Sequence, residues 1–134
     1  PWTVYCSKTY LRQHGKPRSM AEIAALPFAS YSERMVARIE GLQCFASALN
    51  PCQIRQTCNS TSSVASAIEN NHCLGILPVV SGESRPELVP CFSEPVFCAT
   101  LWLVTSRDAY QNPLIRDFMK FAGDFPLKDG LALI

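Results

Sequence analysis

The sequence predicts an α/β fold. Short runs rich in Val, Ile, Tyr and Trp alternate along the chain with segments that carry helix start and stop signals. One stretch, Thr57–Pro78, holds strand end, helix and strand in a row. The composition is that of a globular domain: 134 residues, 48% hydrophobic, 17% charged.

"PWTVYC" (Pro1–Cys6) reads as a β run. Ser7 caps "KTYLRQH" and Gly15 ends it, which marks a short helix at both termini. "SMAE" (Ser19–Glu22) fits a capping box for a second short helix that stops before Pro27. "FASY" (Phe28–Tyr31) reads as a buried strand. Arg34–Ala46 is ambiguous by pattern. With a turn at "LNPC" (Leu49–Cys52) and alternation in "QIRQTC" (Gln53–Cys58), residues 32–58 are expected to form a β hairpin.

Asn59, Ser60 and Thr61 are all good N-caps, and Val64, Ala65 and Ile68 follow at helical spacing. Asn70-Asn71-His72 is a plausible stop. "LGILP" (Leu74–Pro78) is a short apolar strand, so this stretch is expected to be a βαβ unit with parallel neighbouring strands. "SGESRPE" (Ser81–Glu87) is expected as a polar connection, and "VFCATLWLVTS" (Val96–Ser106) as a long buried strand. Asn112-Pro113 starts a last helix, which places Leu114, Phe118, Phe121 and Ala122 on one face.

The net charge of +1 supplies no field for DNA or an anionic membrane. No apolar run is long enough to span a bilayer, and no leader is visible. The chain opens on Pro1 rather than Met and reads as a fragment or a processed product. The seven cysteines show no C-x-x-C and no zinc-ligand spacing, so free cysteines in a reducing cytoplasm are expected, with no metal and no cofactor. No glycine pattern marks a phosphate loop. His14 and His72 could serve a cysteine nucleophile on composition alone, but no motif places a base and an orienting group. Asn59-Ser60-Thr61 formally matches a glycosylation acceptor and is read as accidental.

Two features bear on binding. The hydroxyl-rich mouth of the Thr61 helix suits a small anion or polar molecule, because a helix start offers free N–H groups and a positive dipole end. The competing reading is plain helix capping. Cys44 and Cys52 flank "FASALNP"; they are either a reversible disulfide pair or two unconnected cysteines.

Three segments in order resemble the LysR-type transcriptional regulators. "CSKTYLRQHGKPRSMAEIAALPFASYS" is similar to the family's "SPxYLxxHGxPxxxxDLxxHxxI" stretch after the hinge strand. "NSTSSVASAIENNHCLGILP" is similar to its hydroxyl-started helix followed by a Gly-Ile and Leu-Pro strand. "LWLVTSRDAYQNPLIRDFMKFAGDF" is similar to its terminal "LWLVxxxxxxxxPxVRAFxDFL". The chain departs at Asn71-His72-Cys73, where the family usually has Gly.

The resemblance implies an α/β lobe like those of type 2 periplasmic binding proteins, the second lobe of a two-lobe fold. Trp2–Cys6 and Leu101–Thr105 would be the crossing hinge strands. Residues 1–105 would be the second lobe with those strands. Residues 106–134 would be a C-terminal helix, running to about residue 125, and a tail that return to a first lobe absent from this chain. A small, polar, carboxylate-bearing effector would bind between lobes, touched here by Ser30, Tyr31, Ser32, Ser60, Thr61 and Ser62. Arg34 is a further candidate.

DNA would be met only through a domain absent from the chain, in a cytoplasmic homo-oligomer that is not an enzyme. The last helix's apolar face is expected either buried against a neighbouring chain or loosely ordered. The Val64–Ile68 helix would serve a dimer contact or pack on its own sheet. The alternatives are a thiol-switch regulator using Cys44 and Cys52, a transport-type solute-binding protein, or an enzyme.

Overall fold

The computed structural model describes residues 1–70 and 72–124. Asn71, expected within the helix stop, Phe125 at the expected end of the last helix, and the tail to Ile134 lie outside the described residues. Pro1–Ala99 form one compact unit, and the chain from Thr100 forms a second.

The first unit is a five-stranded sheet in the order β3-β2-β4-β1-β5. Its strands are β1 (Trp2–Ser7), β2 (Phe28–Tyr31), β3 (Ile54–Cys58), β4 (Leu74–Pro78) and β5 (Leu88–Pro90). The helices are α1 (Lys8–His14), α2 (Met20–Ile23), α3 (Glu33–Val36), α4 (Glu40–Ser47), α5 (Thr61–Asn70) and α6 (Val79–Glu83). β2 runs parallel to both β3 and β4, while β1 is antiparallel to β4 and β5.

The caps read from the sequence are present. Ser7 Oγ accepts from Tyr10 N, and Gly15 closes α1 at φ 80°, in the region that favours glycine. Ser19 Oγ accepts from Glu22 N, while the Glu22 carboxylate accepts from Arg18 N, one residue before the cap. His72 follows α5 at φ 48°, taking the place usually given to glycine.

Four expectations are corrected. Residues 32–58 do not form a hairpin: α3, α4 and a 3₁₀ turn (Pro51–Gln53) precede a single strand, β3. Leu42, Phe45 and Leu49 are buried at a helical period, and Asn50 caps the 3₁₀ turn through Cys52 N. The alternation in Gln53–Cys58 belongs to an edge strand, mostly exposed. β3 and β4 are parallel but not neighbours, because β2 lies between them. Val79–Glu83, expected in part as a polar connection, forms α6.

Val96–Ser106 is not a long strand. Val96 and Phe97 bond to the backbone of Trp2, but Leu101–Thr105 joins no ladder among the described residues, and Leu101, Trp102 and Val104 are exposed. An apolar run becomes a strand only where a neighbour accepts its hydrogen bonds.

The core gathers β1, β2 and β4 with one face of α5, whose Val64, Ala65, Ala67 and Ile68 are buried. That helix therefore packs on its own sheet. A Cβ at Gly75 would stand 2.8 Å from Val64 Cγ1 and 2.9 Å from Ile68 Cδ1, so the glycine sets how closely α5 lies on β4. Glu69 and Arg85 add an ion pair at 2.9 Å. In the second unit, Ser106 caps α7 (Arg107–Tyr110), and Asn112 Oδ1 accepts from Leu114 N at the start of α8 (Pro113–Asp124). Leu114, Phe118 and Phe121 of α8 are exposed among the described residues.

Candidate functional site

The parallel pairing of β2 and β3 brings two of the sequence candidates together. Ser30 stands opposite Thr57 and Tyr31 opposite Cys58, and Ser32 N donates to Cys58 O at 2.9 Å. Both strands thus end side by side. The first continues into α3 and the second, through Asn59 and Ser60, into α5. Such a strand-end mouth is where parallel α/β sheets place ligands.

The hydroxyls there are not equivalent. Ser30 is buried, with Oγ 3.5 Å from Tyr31 O. The Tyr31 hydroxyl donates to Ile76 O at 3.1 Å. Burial, with a smaller contribution from the Cys58 sulfur, holds the Tyr31 phenol far above its usual pKa, so it stays a neutral donor. Ser60 Oγ accepts from Ser63 N at 3.1 Å and meets Ser63 Oγ at 2.9 Å, so it is the N-cap of α5. Ser32 precedes α3 but makes no side-chain cap bond. Thr61 is half-buried, and Ser62 lies in a shallow groove with Gln56, Ser66 and Asn70. Arg34 is exposed.

The electrostatics separate the two helix starts. The first N–H groups of α5, those of Thr61 and Ser62, have no intrahelical acceptor, and no acidic residue occupies that first turn. The first turn of α3 contains Glu33, whose carboxylate opposes an anion. Charge complementarity therefore favours α5.

An aromatic cluster adjoins this end of the sheet, and sequence reasoning did not find it. Trp2 meets Tyr31 edge-on with ring centroids 6.0 Å apart and stacks on Phe97 at 5.5 Å. Phe97 also covers Gly41 so closely that a Cβ there would overlap its ring. The three rings come from separate segments, and no local pattern announces such a meeting.

The cysteines are free. Cys44 lies on α4 and Cys52 in the 3₁₀ turn, both exposed; the helical structure between them replaces the hairpin that would have joined them. Cys58 and Cys73 are buried. Burial raises the Cys58 thiol, and burial with the nearby Cys58 pushes Cys73 up to about 11. His72 is exposed beside a fully buried Cys73, and the exposed His14 ring lies tilted against Tyr10, centroids 4.6 Å apart. Iodoacetamide at pH 8 is expected to modify Cys44, Cys52 and Cys98 in the folded protein and to reach Cys58 and Cys73 only after unfolding. Peptide mass mapping at timed quenches checks this. Among the described residues no group of three or more potential metal-ligating side chains comes together, and no helix is long and apolar enough to cross a membrane.

The family model described as the LysR substrate binding domain matches residues 1–125. Among solved structures, the AmpR effector binding domain from Citrobacter freundii is similar at TM-score 0.63 and 17% identity, over 90% of this chain and 60% of that one. A version of that domain with three substitutions is similar at TM-score 0.60 and 16% identity, over 90% of this chain and 61% of that one. The chain thus spans about 60% of the length of these structural relatives. No curated protein matches it.

Proposed function

The chain belongs to the LysR substrate-binding domain family, and we propose that it is the second lobe of a two-lobe, effector-sensing domain of a transcriptional regulator. The fold is the periplasmic-binding-protein-like α/β arrangement of that family. Residues 1–105 serve as the second lobe with its hinge strands, and residues 106–134 return to the first lobe. The coverage of the AmpR domain supports this, because about two-fifths of that relative's length lies outside the match. The exposed Leu101, Trp102, Val104, Leu114 and Phe118 supply an apolar surface for the first lobe to cover.

The effector is a small polar metabolite bearing a carboxylate, held in the inter-lobe cleft. The observation that carries this reading is the joint end of β2 and β3, where Ser32 N meets Cys58 O, the start of α5 is acid-free and the Ser32 hydroxyl makes no cap bond. Ser32, Thr61 and Ser62 with the free α5 N–H groups contact the carboxylate. Ser60 shapes the helix start, and Ser30 and Tyr31 stiffen the strand end below. Neutral donors hold an anion here without a buried ion pair. Binding favours one angle between the lobes, and that shift reaches DNA-binding domains elsewhere in a cytoplasmic homo-oligomer. The effector can contribute only its difference in affinity between the two states, about 1–3 kcal/mol. The reading is of a sensor, not an enzyme.

Titration of the chain with a panel of small mono- and dicarboxylates, followed by calorimetry, tests it. Thr61→Val and Ser32→Ala are each expected to weaken the best ligand about tenfold, the loss of one hydrogen bond to a charged group. Ser47→Ala, whose hydroxyl bonds locally to Cys44 O, is expected to leave affinity unchanged. Equal affinities in all three variants contradict the site.

A further inference from the structure

Two of the buried cysteines meet across the sheet. In the β1–β5 ladder Cys6 stands opposite Val89 and Tyr5 opposite Pro90, and Cys91 N donates to Val4 O at 2.7 Å. Cys91 is therefore opposite Val4, and Val4 and Cys6 share a face because strand side chains alternate. The two cysteines are diagonal cross-strand neighbours on that face. Both are buried, at 0% and 3% exposure.

We infer that Cys6 and Cys91 form an oxidisable dithiol, which a two-electron thiol oxidant closes into a disulfide stapling β1 to the chain leaving β5. The pair is separate from Cys44 and Cys52, and its argument does not depend on the effector site. Three features support it. Cys91 lies just past Pro90, the last residue of β5, so it can make the final approach to Cys6 without breaking a β1–β4 bond. It also borders a surface groove with Lys16, Met20, Phe92 and Pro95, which gives a small oxidant a route. The neighbouring Cys91 thiol holds the Cys6 thiol below its usual pKa against the opposing effect of burial, with help from Lys16, while Cys6 and burial raise Cys91. Cys73, by contrast, directs its thiol to Ala67 O at 3.5 Å.

In the reaction each sulfur loses its proton, one S–S bond forms, and two electrons and two protons pass to the oxidant. With diamide the azo bond takes them up and becomes a hydrazine. The segment that begins at Cys91 returns through Val96 and Phe97 to the backbone of Trp2, whose ring stacks on Phe97, so the staple is linked by one short segment to the aromatic cluster.

The test uses a chain carrying Cys44→Ser, Cys52→Ser and Cys98→Ser, which removes the exposed thiols and leaves four buried ones. The folded protein is treated with diamide, then denatured and alkylated. The expected result is a fall from four titratable thiols to two, with the Cys6 and Cys91 peptides joined and a reductant restoring all four. The unsubstituted chain, mapped in parallel, is expected to yield the same joined peptide, which guards against misfolding of the triple variant. Separate alkylated Cys6 and Cys91 peptides in both proteins, or a joined pair that includes Cys58 or Cys73, overturn the inference.

Discussion

Phe28→Ala is expected to destabilise the Pro1–Ala99 unit by about 3–5 kcal/mol, read from urea unfolding midpoints at unchanged slope. Phe28 is fully buried and begins β2, the strand that separates β3 from β4. It stands opposite Ile54 on one side and Leu74 on the other, and its ring lies 5.5 Å from that of Phe45 on α4. Removing the ring leaves a cavity where two strand pairs and a helix converge, and the sheet backbone around it cannot collapse to fill the space. The same loss loosens the strand end that carries Ser30–Ser32, so ligand affinity should fall with stability. A cost below about 1 kcal/mol would mean that β2 is not the centre of this core.

Gly82→Ala is expected to cost about 1–3 kcal/mol, although alanine is the better helix former. A Cβ on Gly82 would overlap the ring of Tyr5, which is buried and hydrogen-bonded through its hydroxyl to Val79 O at 3.3 Å. α6 must therefore tilt away from β1 or Tyr5 must leave its place. The double variant Gly82→Ala, Tyr5→Leu is expected to be more stable than the sum of the single effects, a coupling that thermal unfolding of all four proteins measures. Strict additivity would show that the glycine does not set this approach.

Much of this fold is written locally. Ser7, Gly15, Ser19 and Asn112-Pro113 act within one turn of their own position, and each does in the structure what its chemistry implies. The strands at Phe28–Tyr31 and Leu74–Pro78 are buried apolar runs bounded by proline, glycine or serine, and they too are legible. What was misread depends on distant partners. Residues 33–47 carry helix-spaced Leu42 and Phe45 within a stretch whose alternation also fits strands, and only packing on Phe28 resolves it. The insertion of β2 between β3 and β4 pairs segments far apart along the chain, which no window of sequence contains. Leu101–Thr105 has the composition of a strand but joins no ladder among the described residues.

The candidate site divides the same way. The hydroxyl-rich start of α5 was visible, and so was its place after a strand. That Ser60 is occupied as a cap and Tyr31 bonds inward while Ser32 makes no cap bond depends on register and burial. Trp2, Tyr31 and Phe97, and likewise Cys6 and Cys91, meet only because the sheet order brings their strands together.

The proposed role of this chain rests on a small anion being received where β2 and β3 end. Amide chemical-shift mapping of the isotope-labelled protein, titrated with the best carboxylate of the panel, reads that location residue by residue. Saturable shifts concentrated at Ser32 and at Ser60, Thr61 and Ser62 are the predicted result. Saturable shifts around Lys16–Met20 and Cys91–Val96, with the start of α5 silent, would contradict it.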